Sequence, residues 1–136
     1  MPPTATVRHA LSLLDVAEAQ NRYARDAFHF IQRGLAYTAE MTYGPVESPN
    51  TNRHVDGRQL CLGLREFAFR QWGPLSPVVL ERWGICSTLD FGFIVFQLIE
   101  AGVFHRQKSD TLNDFRDVYD FETAFDGSVE FDSIGN

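Results

Sequence analysis

Apolar residues recur at helical spacing in five segments of the chain, and residues that start or stop helices bound each one. This pattern predicts helices over residues 4–17, 21–44, 56–72, 76–84 and 87–102. In the second segment, Gly44 followed by Pro45 ends the pattern. The spacing of Asp56 to Gln59 and of Ser87 to Asp90 predicts a capping box at the start of the third and fifth helices.

The C-terminal segment has the shorter period of extended chain. Val103-Phe104-His105 is predicted to be extended, and Val118-Tyr119-Asp120-Phe121 alternates as a strand does, with an extension to Phe125. The predicted order of elements is that of a winged helix: a helix, a short helix, a tight turn at 84–87, a longer helix and a hairpin. The predicted fold class is therefore α+β and mainly α, with about five helices, a winged-helix-like helix-turn-helix and a C-terminal β-hairpin.

One internal stretch is typical of an exposed loop. Residues 45–55 contain two prolines, two asparagines and few apolar side chains. We expect a single domain over residues 1–126, with a helical arm at 1–44 and a winged-helix-like body at 56–126. Residues 127–136 are predicted to be a flexible acidic tail.

Composition narrows the class of protein without naming its function. A chain of 136 residues with 44% hydrophobic residues is long enough for one well-filled core. Its two cysteines exclude a disulfide scaffold and favour a reducing, cytoplasmic location. No apolar run is long enough to predict a membrane span, and the first residues lack the pattern of a signal peptide.

Charge is distributed unevenly along the chain. Residues 1–85 carry nine arginines and eight carboxylates, whereas residues 86–136 carry three bases and ten carboxylates. The segment 88–101, which would be the recognition helix of a winged helix, contains two acids and no Arg or Lys. Binding to nucleic acid depends on cations that replace the counterions of phosphates, so it is expected to be unlikely here. The alternative, a winged-helix nucleic-acid-binding regulator, would use the arginines at 22, 25, 33, 53, 58, 65 and 70.

We expect instead a non-catalytic protein-interaction module that binds a protein partner or forms a homodimer. Phe93 and Phe96 lie outside the main apolar stripe of the fifth helix, where exposed aromatic side chains favour protein contact. Burial of both rings against the N-terminal helices is the other interpretation. The predicted partner-binding residues are Phe93, Phe96, Asp114, Asp117, Tyr119 and Asp120.

Motifs of catalysis and metal binding are not found in the sequence. The cysteines are too far apart for a zinc pair, the histidines are scattered, and no phosphate loop or nucleophile elbow is present. We therefore predict no catalytic residue, no metal and no cofactor. An enzyme with an unrecognised site stays possible if the fold brings His54 with Asp56, or Tyr119 with Asp120, into a cleft.

Several short motifs resemble a conserved protein family of unknown function found in Planctomycetes and Verrucomicrobia. They are Trp83-Gly84-Ile85, the segments 90–96 and 114–121, and the upstream pieces 57–60, 64–68 and 73–75. The likeness covers roughly residues 21–125. It implies a small cytosolic protein and supplies no activity, cofactor or catalytic residue.

Overall fold

The structure, a computed structural model, describes residues 22–45 and 53–126. The protein is mainly helical there, as the apolar spacing predicts. Its helices are α1 (Arg25–Tyr43), α2 (Gly57–Trp72), α3 (Ser76–Arg82), α4 (Thr88–Glu100) and the single-turn α5 (Phe121–Ala124), with 3₁₀ helices at Gly73–Leu75 and Leu112–Phe115. The helix predicted over 4–17 and the tail predicted over 127–136 lie outside the described residues.

The helix starts follow from local side-chain chemistry. Asp56 accepts a hydrogen bond from the backbone N–H of Gln59 at 2.8 Å, and the Gln59 side chain accepts from the N–H of Asp56 at 3.0 Å. This confirms the capping box predicted for α2. The second predicted capping box, that of Ser87 and Asp90, opens α4.

The core lies where α1, α2 and α4 meet. Ile31, Leu64 and Phe91 are fully buried there, one from each helix. Glycines let α1 and α2 approach closely, because a Cβ atom at Gly63 would lie 1.9 Å from the hydroxyl oxygen of Thr38. Residues 25–43 are thus part of the same core as the rest of the described chain.

The predicted C-terminal β-hairpin is wrong. Residues 103–126 contain no strand, and a 3₁₀ helix and α5 lie there instead. The backbone N–H groups of Val103 and Phe104 both donate to the carbonyl of Leu98, at 2.9 and 3.2 Å. The residues predicted to form the first strand therefore terminate α4 instead. The second predicted strand includes Asp120. Its carboxylate instead accepts a hydrogen bond from the N–H of Glu122 at 2.9 Å and starts α5.

A threonine at the start of α4 fixes the chain that replaces the hairpin. The Thr88 hydroxyl donates to the carbonyl of Phe115 at 2.6 Å and accepts from the N–H of Val118 at 3.2 Å. These bonds occupy backbone groups that a strand ladder would need. The set of helices also differs from the predicted one. Among the described residues, four helices of seven or more residues lie where four of the five helices were predicted, and the one-turn α5 lies where a strand was predicted.

Two weakly acidic side chains, the buried Cys61 and the half-buried Tyr119, predict how stability responds to alkali. Cys61 is fully buried on α2, and Tyr119 donates to its carbonyl at 2.7 Å. Burial raises the pKa of both the Cys61 thiol and the Tyr119 hydroxyl. Both groups are neutral when protonated, so the folded state holds their protons more tightly than the unfolded state. Their contribution is complete below the unfolded thiol pKa of about 9 and is lost as the pH rises above it.

We expect the free energy of unfolding to fall between pH 9 and pH 10.5, by up to about 1.4 kcal/mol per pH unit from Cys61 alone. Urea unfolding at several pH values measures the slope. The Cys61→Ala variant should have a shallower slope, while Cys86→Ala, which changes an exposed thiol, serves as the matched control. Equal slopes for wild type and Cys61→Ala would contradict the assignment.

Candidate functional site

A cavity of about 390 Å³ lies between α1, α4 and the chain segments that precede α2 and follow α4. One wall is α1, which contributes Leu35, Ala36 and Ala39. These positions share one helix face, and the two alanines leave the space that larger side chains would fill. The lining is mostly apolar, and the volume is in the range of about 300–1,000 Å³ that is typical of small-molecule sites.

The opposite wall comes from α4 and the chain after it. Val95, Phe96 and Ile99 contribute from α4, and Phe104 follows at its end. Phe115 closes the base, where its ring packs edge-on against that of Phe96 with centroids 6.5 Å apart. The cavity is therefore surrounded by elements that are distant in the sequence.

Four charged or ionisable side chains also line the cavity, and we call this part of the lining its polar end. Arg53, His54, His105 and Asp110 all line it. The Nε2 atom of His54 lies 3.1 Å from the Oδ1 atom of Asp110, and this pair is largely buried. The contact joins the segment before α2 to the segment after α4.

The Asp110 carboxylate is held in place by its own turn. Its Oδ2 atom accepts from the backbone N–H of Gln107 at 2.8 Å. The guanidinium of Arg106 donates to the Asp110 carbonyl at 2.9 and 3.0 Å and lies 5.4 Å above the ring of Phe96. On the other side, the Tyr43 hydroxyl donates to the carbonyl of His54. Both partners of the histidine–aspartate pair are thus fixed by hydrogen bonds from neighbouring elements.

Known proteins give no further guide to this site. No protein-family model, curated protein or solved structure matches the chain. The resemblance noted in the sequence therefore stays a prediction, and the function is argued from the geometry alone.

The two predicted phenylalanines lie in different places. Phe96 lines the cavity, whereas Phe93 does not. Both side chains are half-buried and pack against the hydrophobic core. The expectation that they form one exposed patch stays a prediction.

The predicted acidic residues are used in local turns. Asp114 accepts from the backbone N–H of Thr111 at 2.9 Å, and Asp120 caps α5. Asp117 is exposed and has a φ of 51°, a left-handed conformation in a turn. Tyr119 is half-buried, and the ring of Phe121 stacks against it with centroids 5.9 Å apart. Three of these four residues therefore have a role within the fold.

The two neighbouring pairs that could act in proton transfer if they shared a cleft are not brought together in this cavity. Asp56, Tyr119 and Asp120 do not line it with His54; Asp56 caps α2, and the Tyr119 hydroxyl donates to the Cys61 carbonyl. The partner of His54 is Asp110, which is 56 residues away in the sequence. No periodicity or local spacing could have linked these two residues.

No group of three or more His, Cys, Asp or Glu side chains is placed to hold a metal ion in the part of the chain that the structure describes. Among the same residues, no helix has both the length and the apolar character that crossing a bilayer requires.

Proposed function

We propose that the protein binds a small molecule with an apolar body and an acidic group. The observation that carries this proposal is the cavity of about 390 Å³, apolar along its walls and polar at one end. Pockets of this kind bury the apolar part of a ligand and orient it through a few polar contacts. The occupied protein would gain stability by mass action, because the unfolded chain has no such cavity.

The acidic group is inferred from the charges at the polar end. Arg53 carries a guanidinium cation, and the imidazole rings of His54 and His105 carry N–H donors. The single carboxylate of the lining, Asp110, already accepts bonds from His54 and from the Gln107 backbone. A ligand carboxylate at this end would be attracted to Arg53 and would find N–H donors around it.

The proposal is tested with a matched pair of probes, octanoate and 1-octanol. We expect isothermal titration calorimetry to detect octanoate binding and a raised melting temperature. Ala39→Leu places a larger side chain in the cavity and should weaken binding by about 10-fold or more. The control is Ala24→Leu, the same substitution at an exposed position outside the lining. Equal affinity for both variants would overturn the assignment of the cavity.

The charge at the polar end has its own test. Arg53→Gln should weaken octanoate while leaving 1-octanol unchanged, so the preference for the acid falls. Arg58→Gln removes a cation from an exposed position outside the lining and should preserve the preference. A preference for octanoate that survives Arg53→Gln would contradict the role of Arg53. Equal binding of octanoate and 1-octanol by the wild type would contradict an acidic ligand and leave a purely apolar one.

The bonded pair of His54 and Asp110 favours an enzyme as a second candidate. A carboxylate that fixes a histidine is a common arrangement for proton transfer. The described lining contains no Ser, Thr, Cys or Lys, so a covalent intermediate on such a side chain is not supported. Nuclear magnetic resonance of the probes after long incubation distinguishes the two candidates. Chemical conversion of octanoate or 1-octanol that is lost in the Asp110→Asn variant would favour the enzyme. Unchanged probes would favour a binding protein.

The protein-interaction function predicted from the sequence also stays a proposal. It is supported by the partial exposure of Phe93 and Phe96 and by the exposed carboxylates of Asp117 and Asp120. The nucleic-acid alternative has less support, because the segment expected to form the wing has no strands among residues 103–126. A cytoplasmic location is proposed from the two free cysteines.

A further inference from the structure

A second concave surface lies on the side of the molecule formed by α3 and α5. It has a volume of about 450 Å³, and none of its lining residues belongs to the cavity described above. Its floor consists of Ile85, Phe121 and Phe125, which are buried core residues, and only the edge of Phe121, 8% exposed, is accessible from the groove. Pro74 and Pro77 form a wall. We call this surface the α3–α5 groove.

Two exposed apolar residues follow the prolines of the wall in the sequence. Leu75 is 65% exposed and comes directly after Pro74, and Val78 is 52% exposed and comes directly after Pro77. Neither side chain lines the groove itself. They are two of the four large hydrophobic side chains that are exposed among the described residues.

The charge around the groove has one sign. Glu81, Glu122 and Asp126 line it, and the described lining contains no Arg, Lys or His. Arg82 follows Glu81 on α3 but is not part of the lining. An occupant must therefore combine an apolar anchor with positive charge.

We propose that the α3–α5 groove binds a basic amphipathic peptide segment of a protein partner, with an apolar side chain against Pro74, Pro77 and the edge of Phe121 and with Arg or Lys beside Glu81 and Glu122. Opposite charges favour such an encounter, and the proline wall adds affinity when it is covered. A nucleic-acid strand does not fit, because its phosphates would meet carboxylates. The last ten residues of this chain carry two carboxylates and no base, so they do not match the groove either.

The probe is a random peptide library displayed on phage and selected against the full-length protein. The proposal expects recovered peptides in which Arg or Lys flank a large apolar residue. The Glu81→Lys/Glu122→Lys variant changes two exposed carboxylates of the groove and should weaken the recovered peptides by about 10-fold or more. The matched control is Glu40→Lys/Glu100→Lys, which makes the same charge change at exposed positions outside the groove and should preserve binding.

Binding at this surface is read locally through Cys86, an exposed thiol in the groove lining. An environment-sensitive dye attached there reports the peptide directly, because the only other cysteine is fully buried. Loss of the dye signal in the groove variant but not in the control supports the proposal.

Three results would overturn it. The first is recovered peptides that are no more basic than the starting library, or the recovery of none. The second is equal weakening in both charge variants, which would mean nonspecific attraction. The third is a concentration-dependent dimer, by sedimentation velocity, that Glu81→Lys/Glu122→Lys abolishes, which would make a second copy of the chain the occupant. The Ala39→Leu variant leaves the groove intact, so failure here is distinct from failure of the ligand cavity.

Discussion

Replacing Phe115 with alanine is expected to lower the free energy of unfolding by about 3–5 kcal/mol, as removal of a large buried aromatic side chain does. The ring is 3% exposed and fits between two helices at positions without side chains. A Cβ atom at Gly57 would lie 2.7 Å from the ring, and one at Gly92 would lie 2.8 Å from it. Because the ring touches two helix backbones, little can move in to fill the space left by its removal.

Urea unfolding followed by circular dichroism measures this loss. Phe115→Leu keeps an apolar group in the same space and should cost less, about 1–2 kcal/mol. Gly92→Ala tests the same contact from the other side, since the added methyl group would press on the ring. A loss below 1 kcal/mol for Phe115→Ala would contradict the tight fit of the ring between α2 and α4.

Replacing Asp90 with alanine is expected to destabilise the protein by about 2–5 kcal/mol. This carboxylate is 3% exposed and accepts from the Tyr23 hydroxyl and from the backbone N–H groups of Cys86 and Ser87, at 2.7 and 3.1 Å. Its removal leaves a buried hydroxyl without its acceptor and the first turn of α4 without its cap. Burial, together with the bond to Asp90, raises the pKa of Tyr23, so its hydroxyl keeps its proton as a donor at neutral pH.

A double-mutant cycle separates the two parts of this effect. Tyr23→Phe removes the buried hydroxyl and leaves the backbone bonds of Asp90 intact. The Tyr23→Phe/Asp90→Ala variant should lose less free energy of unfolding than the two single variants lose together, because no unpaired hydroxyl remains. Strict additivity in chemical denaturation would show that the tyrosine and the aspartate act independently.

Local patterns in the sequence predict the helices well. The capping box of Ser87 and Asp90 and the glycine-containing turn before it lie where spacing and turn chemistry put them. These features depend on residues within one turn of each other. The bond between Asp90 and Tyr23 spans 67 residues, and no local rule contains it.

The failure at the C-terminal segment has a clear physical cause. Tyr119 and Phe121 do share a face, as the alternating pattern requires, and their rings stack. A strand also needs free backbone N–H and C=O groups of its own. In this segment the Thr88 hydroxyl and the Leu98 carbonyl already bind several of them. Asp114 and Asp120 carry out the turn-starting role that short acidic side chains favour. The alternation was therefore a sign of partial burial rather than of pairing.

The cavity could not be predicted for a related reason. Leu35, Ala36 and Ala39 look like an ordinary helix face, and the space beside them exists only because α4 and the chain after it stop short of filling it. The sequence marks His54 as a candidate for proton transfer, but its bonded partner Asp110 is 56 residues away, beyond the reach of any local pattern. Long-range contacts of this kind come from the packing of the whole domain.

The chain between α4 and the 3₁₀ helix that contains Phe115 has a consequence for how this protein can change. Its ends are tied by backbone bonds to the carbonyl of Leu98 and by the Thr88 hydroxyl, both on α4. Phe104 and Asp110 lie between these ends and line the cavity; Phe104 packs against the core from outside, and Asp110 is not part of it. Substitutions or small insertions there could alter which molecule is accepted while the scaffold keeps its stability, so we expect specificity to diverge first in residues 101–111.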